Sequence, residues 1–169
     1  MIISLPCGKP RICNVYLRPM QPRVVITGMG AVSPNGNNRK EYWDALQAGR
    51  SGISEITRFP TDGLGCRVAG EVKGLTYDCL PPKDRKRVPR IVPLAIVAAE
   101  EALVDARIPW STLTETQRQD IGVIIGSGGG GLDFSEREYE KFFKGEGRNS
   151  PFAIVSSFIG MVSSEVSIH

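Results

Sequence analysis

At 169 residues the chain is long enough for one domain with a real core, and 41% hydrophobic with 23% charged residues marks a folded rather than a disordered chain. A net charge of +3 lacks the large, patterned basic excess of a nucleic-acid binder, and no nucleic-acid partner is expected. No apolar run approaches the ~20 residues needed to cross a bilayer.

Residues 1–21 hold Lys9, Arg11 and Arg18, no acids and three prolines. Their apolar stretches are too short and broken for a secretory signal. They read as an N-terminal extension, disordered or placed before the natural start, with Met20 as that start. The folded part is expected over residues 22–169. Residues 24–27, Val-Val-Ile-Thr, form a β-branched run closed by Gly28-Met29-Gly30 and predict a buried strand entering a tight turn. Asn37 and Asn38 can cap a helix over residues 39–48, with Tyr42, Leu46, Trp43 and Ala45 as its inner face and Gly49 as its left-handed end.

Residues 49–67 read as loop, residues 68–72 as a second strand, and residues 74–89 as irregular and then strongly basic. The clearest helix is predicted over residues 91–107. Ile91, Ala95, Ala98 and Ala102 make one stripe, and Val92, Ile96, Ala99 and Leu103 the next. Glu100, Glu101 and Asp105 are expected to face water. Pro93 is tolerable only in its first turn. Residues 121–125 predict another buried strand, followed by the glycine run 126–131. A helix follows over residues 133–144, with Leu132, Phe134, Tyr139, Phe142 and Phe143 available for packing. Residues 152–168, apolar with interleaved serines, fit a buried helix. Strands alternating with helices argue for an α/β fold with a mostly parallel sheet.

Four features carry potential chemistry. Gly126-x-Gly128-x-x-Gly131 matches the dinucleotide fingerprint, and Gly28-x-Gly30-x-x-Ser33 nearly does. No acid-ended strand follows at the spacing a ribose requires, so the plainer reading is tight turns beneath packed helices. Lys83, Arg85, Lys86, Arg87 and Arg90 form a basic cluster, either a solvated face or a docking patch for an acidic partner or a phosphate. Cys7, Cys13, Cys66 and Cys79 form no C-x-x-C pair, and the sole histidine is His169. A zinc site would have to be assembled from scattered cysteines; reduced structural thiols in a cytoplasmic protein are the plainer reading. Finally, no nucleophile-with-base set is present.

The order of motifs resembles the opening of the elongating β-ketoacyl–acyl-carrier-protein synthases. It begins with residues 23–36, Arg-Val-Val-Ile-Thr-Gly-Met-Gly-Ala-Val-Ser-Pro-Asn-Gly. Trp43, Leu46 and Gly49-Arg50-Ser51-Gly52-Ile53 follow, then Ile56 and Phe59, then residues 69–72, 98–103 and 124–132. Residues 148–152, Arg-Asn-Ser-Pro-Phe, and Met161-Val162 close the series. Each motif alone is weak; together, in order, they cover nearly all of residues 22–169.

The resemblance implies a thiolase-like fold, layered α-β-α-β-α, of which this chain supplies most of the first half. It implies a homodimer and a decarboxylative Claisen condensation of an acyl thioester with malonyl-carrier protein. No cofactor is expected beyond the phosphopantetheine of the acyl carrier protein that bears the substrates. The family's nucleophilic Cys lies in a Thr-Ala-Cys segment beyond the position matching His169, and its two histidines lie further on. No catalytic residue is therefore assigned, and the chain alone is expected to be inactive. The resemblance places carrier-protein binding on Lys83, Lys86 and Arg87, and the acyl-lining positions on Gly129, Ala153, Ile154, Ser157 and Phe158. Gly129 stands where many members carry a bulky gating side chain, which implies room for longer acyl chains. Val88-Pro89, Val155 and Gly160 depart from the usual pattern. A non-catalytic dimerising homologue, like the chain-length partners of active synthases, is the second reading, and a dinucleotide-binding α/β domain the third.

Overall fold

The structure, a computed structural model, describes residues 24–76 and 78–169. The extension at residues 1–21, the start at Met20, and Cys7 and Cys13 lie outside the described residues. Helix α1 (Arg39–Gln47) begins where Asn38 predicts: the Asn38 side chain accepts a hydrogen bond from Glu41 N at 2.8 Å. Gly49, at φ +64°, ends it in the left-handed region. Its inner face is narrower than expected. Ala45 is buried, but Tyr42, Trp43 and Leu46 are exposed, because nothing among the described residues packs over them.

The region read as loop contains β1 (Ile53–Glu55), which pairs antiparallel with β2 (Val68–Gly70), Ile53 opposite Gly70. Three residues are too few to display a strand's alternation, so the pairing partner decides the conformation. Glu71, next to β2, is buried and accepts from Thr57 Oγ1 at 2.7 Å and from the Thr57 and Arg58 amides. Those bonds, the Thr57 hydroxyl foremost, hold its carboxyl below the usual range.

The one-turn helix α2 (Pro82–Arg85) starts with proline at its first position. Helix α3 (Ile91–Asp105) matches its prediction to within two residues, with Pro93 inside the first turn. Helix α4 (Glu115–Gln119) opens on a capping box between Thr114 and Gln117. Helix α5 (Leu132–Lys144) ends at Gly145, φ +67°. Of its apolar residues Phe134 is buried, while Leu132, Tyr139, Phe142 and Phe143 are exposed.

The single helix expected over residues 152–168 is broken. A 3₁₀ turn spans Val155–Ser157, Phe158 is extended, and α6 covers Met161–Ile168. Two serine hydroxyls in this stretch bond to main-chain carbonyls. Ser157 Oγ donates to Ala153 O, and Ser156 Oγ leaves its own helix for Arg87 O at 2.6 Å. Such bonds compete with a continuous helix.

Helices α3 and α6 pack together over the core: Leu80, Val88, Val92, Ile96, Met161 and Val162, with Cys79, Ile91, Ala95, Ile125 and Val166 at its edge. Val88 and Pro89, which depart from the usual pattern, are thus core residues. The expected parallel sheet is not laddered. The one sheet among the described residues is the antiparallel β1–β2 pair. Residues 24–27 and 121–125 carry no ladder, and Val24, Ile26 and Ile124 are 93%, 83% and 97% exposed. A strand is held by its neighbours' hydrogen bonds and by cover over its faces. Neither run has a paired neighbour here.

Candidate functional site

The basic cluster divides into free and tied cations. Lys83 lies on α2 and Lys86 at its end, both exposed and without an ion pair among the described residues. Arg85 is tied: its Nε donates to Leu80 O at 2.7 Å and its Nη2 lies 3.4 Å from Asp78. Arg90 donates to Val72 O at 2.8 Å. Arg87 is half-buried. Its Nε is 3.4 Å from Asp84 Oδ1, an ion-pair distance, yet is shielded from solvent and makes no well-directed hydrogen bond. Its guanidinium lies 5.7 Å from the centre of the Phe152 ring. Two ammonium groups on an exposed turn, anchored by the buried Leu80 and Val88 on either side, make a rigid cationic platform.

Of the expected acyl-lining residues, Ser157 sits against α5, and the glycine loop meets the backbone of residues 156–159. Gly131 N-caps that helix, and a Cβ on it would fall 1.8 Å from Ser156 O. The glycine loop and the 153–158 segment therefore meet backbone to backbone. Ser135 Oγ donates to Ser157 Oγ at 2.7 Å across the same seam. Gly129 faces Leu132, while Ile154 and Phe158 are exposed.

Glu138, one turn further along α5, fixes the incoming loop. Its carboxylate accepts from Ser150 N at 2.6 Å and Lys141 Nζ at 2.7 Å, and its carbonyl from Asn149 Nδ2 at 2.6 Å. Lys141 above all, then the Ser150 amide, holds the Glu138 carboxyl below the ordinary range. Neither Glu138 nor Ser156 stands out in the sequence. An acid on a charged helix and a serine in an apolar run carry no local sign of such long-range bonds.

Gly131 turns its close approach on the chain's own backbone, as the plainer reading of the fingerprint holds, while a Cβ on Gly126 or Gly128 would meet nothing within 4 Å. The near-match at the start behaves alike, since a Cβ on Gly30 would fall 1.9 Å from Ala98 O in α3. Glu101 and Asp105, expected to face water, instead hold this glycine segment. Glu101 accepts from Ala31 N at 2.8 Å and Arg39 N at 2.9 Å, and Asp105 from Met29 N at 3.0 Å. Asp105 also pairs with Arg39, whose guanidinium is the main cause of its lowered pKa.

An open cavity of 1190 Å³ lies elsewhere, lined by Thr27, Leu103, Trp110, Val123, Ile125 and Val166 among others. It contains none of the expected acyl-lining residues. Helix α3, the 121–125 run and residues 166–169 supply most of its walls, and Glu100, Glu115, Arg118 and His169 are among its polar lining groups. Cys66 is exposed, and burial pushes the Cys79 thiol up, away from a reactive thiolate. His169 Nε2 is 3.0 Å from Glu100. Among the described residues no group of three His, Cys, Asp or Glu could hold a metal, and no helix is long and apolar enough to cross a membrane.

The family model "Beta-ketoacyl synthase, N-terminal domain" matches residues 21–169. A 3-oxoacyl-[acyl-carrier-protein] synthase 2 of Synechocystis sp. (strain ATCC 27184 / PCC 6803 / Kazusa) is 39% identical over 149 residues, 87% of this chain and 35% of that protein. A β-ketoacyl synthase from Burkholderia phymatum STM815 superposes with a TM-score of 0.69 at 26% identity, covering 88% of this chain and 36% of that one. The ishigamide ketosynthase/chain length factor gives 0.64 at 28% identity over 85% and 36%. The chain thus spans about a third of the length of these relatives.

Proposed function

This chain belongs to the β-ketoacyl synthase family, as its N-terminal domain, and from that premise we propose that it is the carrier-docking and acyl-lining part of an elongating 3-oxoacyl-carrier-protein synthase. Its fold is the first part of the thiolase-like ketosynthase fold. The observation that carries the reading is the match over residues 21–169, which contains both the basic platform and the glycine seam.

The reaction of the whole enzyme is a decarboxylative Claisen condensation. An acyl group passes from carrier protein to a cysteine thiolate; malonyl-carrier protein loses carbon dioxide, and its carbanion attacks the thioester. Three things are required: a thiolate, groups that stabilise the enolate, and donors for the tetrahedral oxyanion. The described residues offer no thiol–histidine couple for this, since Cys66 and Cys79 stand alone and His169 pairs with Glu100. The chain's contribution is recognition: Lys83, Lys86 and Arg87 receive an acidic acyl carrier protein, and Gly129, Ala153, Ile154, Ser157 and Phe158 line the acyl chain. A cytoplasmic homodimer needing no cofactor of its own belongs to the same reading.

The test is binding to a purified acyl carrier protein. Lys83→Glu with Lys86→Glu should weaken it at least about tenfold, equivalent to ~1.4 kcal/mol, and flatten its salt dependence. Unchanged binding would sink the docking assignment. The likeness to the ishigamide ketosynthase/chain length factor favours one second reading, a non-catalytic partner of an active synthase. Co-purification with a separate synthase subunit, without self-dimerisation, would select it.

A further inference from the structure

Arg87 belongs to both halves of the proposed site. Its side chain, 41% exposed, pairs at 3.4 Å with Asp84, which lies between Lys83 and Lys86 in the chain. Its guanidinium lies over the Phe152 ring at 5.7 Å, and Phe152 directly precedes the acyl-lining residues. Its carbonyl accepts the hydroxyl of fully buried Ser156 at 2.6 Å, between Ile154 and Ser157. Phe152 O in turn accepts Ser156 N at 2.8 Å, closing the turn that carries Ala153 and Ile154. Next to Arg87, Val88 and Pro89 are locked into the core, so its backbone is a fixed point and its side chain is the movable part.

Resting on the docking reading above, we propose that Arg87 is a positioning residue that couples arrival of the acidic carrier to release of the acyl-lining segment. A carboxylate on the carrier makes a charge-assisted, bidentate bond to guanidinium. The aromatic face offers it a weaker contact. The Asp84 contact is an ion pair at 3.4 Å in which the Arg87 Nε makes no hydrogen bond. Docking therefore draws the guanidinium off Phe152, and the 152–158 turn loosens while the Ser156–Arg87 backbone tether keeps it in place. The turn carrying Ala153 and Ile154 is thus looser with a carrier bound than without one.

The test is hydrogen exchange at the amides of residues 152–158 in the full chain, with and without a purified acyl carrier protein lacking its prosthetic group. In the unaltered chain saturating carrier should accelerate exchange about two- to fivefold, the range a single exposed cation–π contact supports. Arg87→Lys keeps the charge and the carbonyl but loses the planar face. It should exchange faster without carrier, still bind carrier, and show no further response. Phe152→Leu, which leaves every basic residue in place, should behave the same way. Carrier binding with unchanged or slowed exchange in the unaltered chain, or a full response in Arg87→Lys, overturns the coupling and leaves the docking reading standing. Absence of carrier binding overturns both.

Discussion

Gly129 and Gly131 stand two residues apart and answer differently to the same change. A Cβ on Gly131 meets Ser156 O at 1.8 Å, backbone against backbone, where nothing can give. A Cβ on Gly129 meets only the tip of Leu132 at 3.3 Å, a flexible side chain that is itself exposed. Gly131 has a negative φ of −97°, so the cost there is steric and not torsional. Gly131→Ala should therefore destabilise the chain by about 1–3 kcal/mol, the usual cost of overpacking, while Gly129→Ala stays near neutral. Denaturant midpoints of the two variants decide this; equal midpoints would mean the seam is not packed as described. The openness at Gly129 also bears on specificity. In a complete synthase of this sequence Gly129→Ile should shorten the acyl chain preferred, and an unchanged product profile would refute its gating place.

Helix α3 works on two faces. Val92 and Ile96 bury one against α6, while Glu101 and Asp105 hold the glycine segment and the start of α1 with the other. The second face is polar and pH-dependent. Asp105 is depressed from its ordinary 3.8, first by Arg39 and then by the Met29 amide. A carboxylate with a lowered folded-state pKa adds stability above its unfolded value and loses it as pH falls through the folded one. Protection of the Met29 amide, corrected for intrinsic exchange, should hold from neutral pH down to about pH 4 and collapse below it. Asp105→Asn should lower protection at neutral pH and remove that acid step. An acid step that persists in Asp105→Asn would assign it to another group.

At the scale of the whole molecule the small core contrasts with the apolar surface left in water. Val24, Ile26, Ile124, Phe143 and Ile154 are each more than 70% exposed. Large apolar side chains left this exposed favour association. The purified chain should bind an apolar dye strongly and self-associate at micromolar concentration, as followed by light scattering. A monomer with one sharp, reversible unfolding transition and no dye binding would contradict this.

Helices α1, α3 and α5, the caps of α1 and the family were legible in the residues alone. Asn38 and Gly49 act on their own neighbours, and α3 and α5 end within two residues of their predicted limits. The basic cluster and the glycine run were legible for the same reason, being contiguous. What lay beyond the sequence was every feature set by a partner distant in the chain. The strands predicted at residues 24–27 and 121–125 have the composition of strands but no neighbour to pair with. Glu101 and Asp105 read as solvent-facing until the glycine segment is placed against them. Ser156 and Arg87, 69 residues apart, join the basic turn to the glycine seam through one hydrogen bond. Local pattern dictates helices because their bonds close within four residues; ladders, clamps and sites close over tens of residues, so only the tertiary structure decides them.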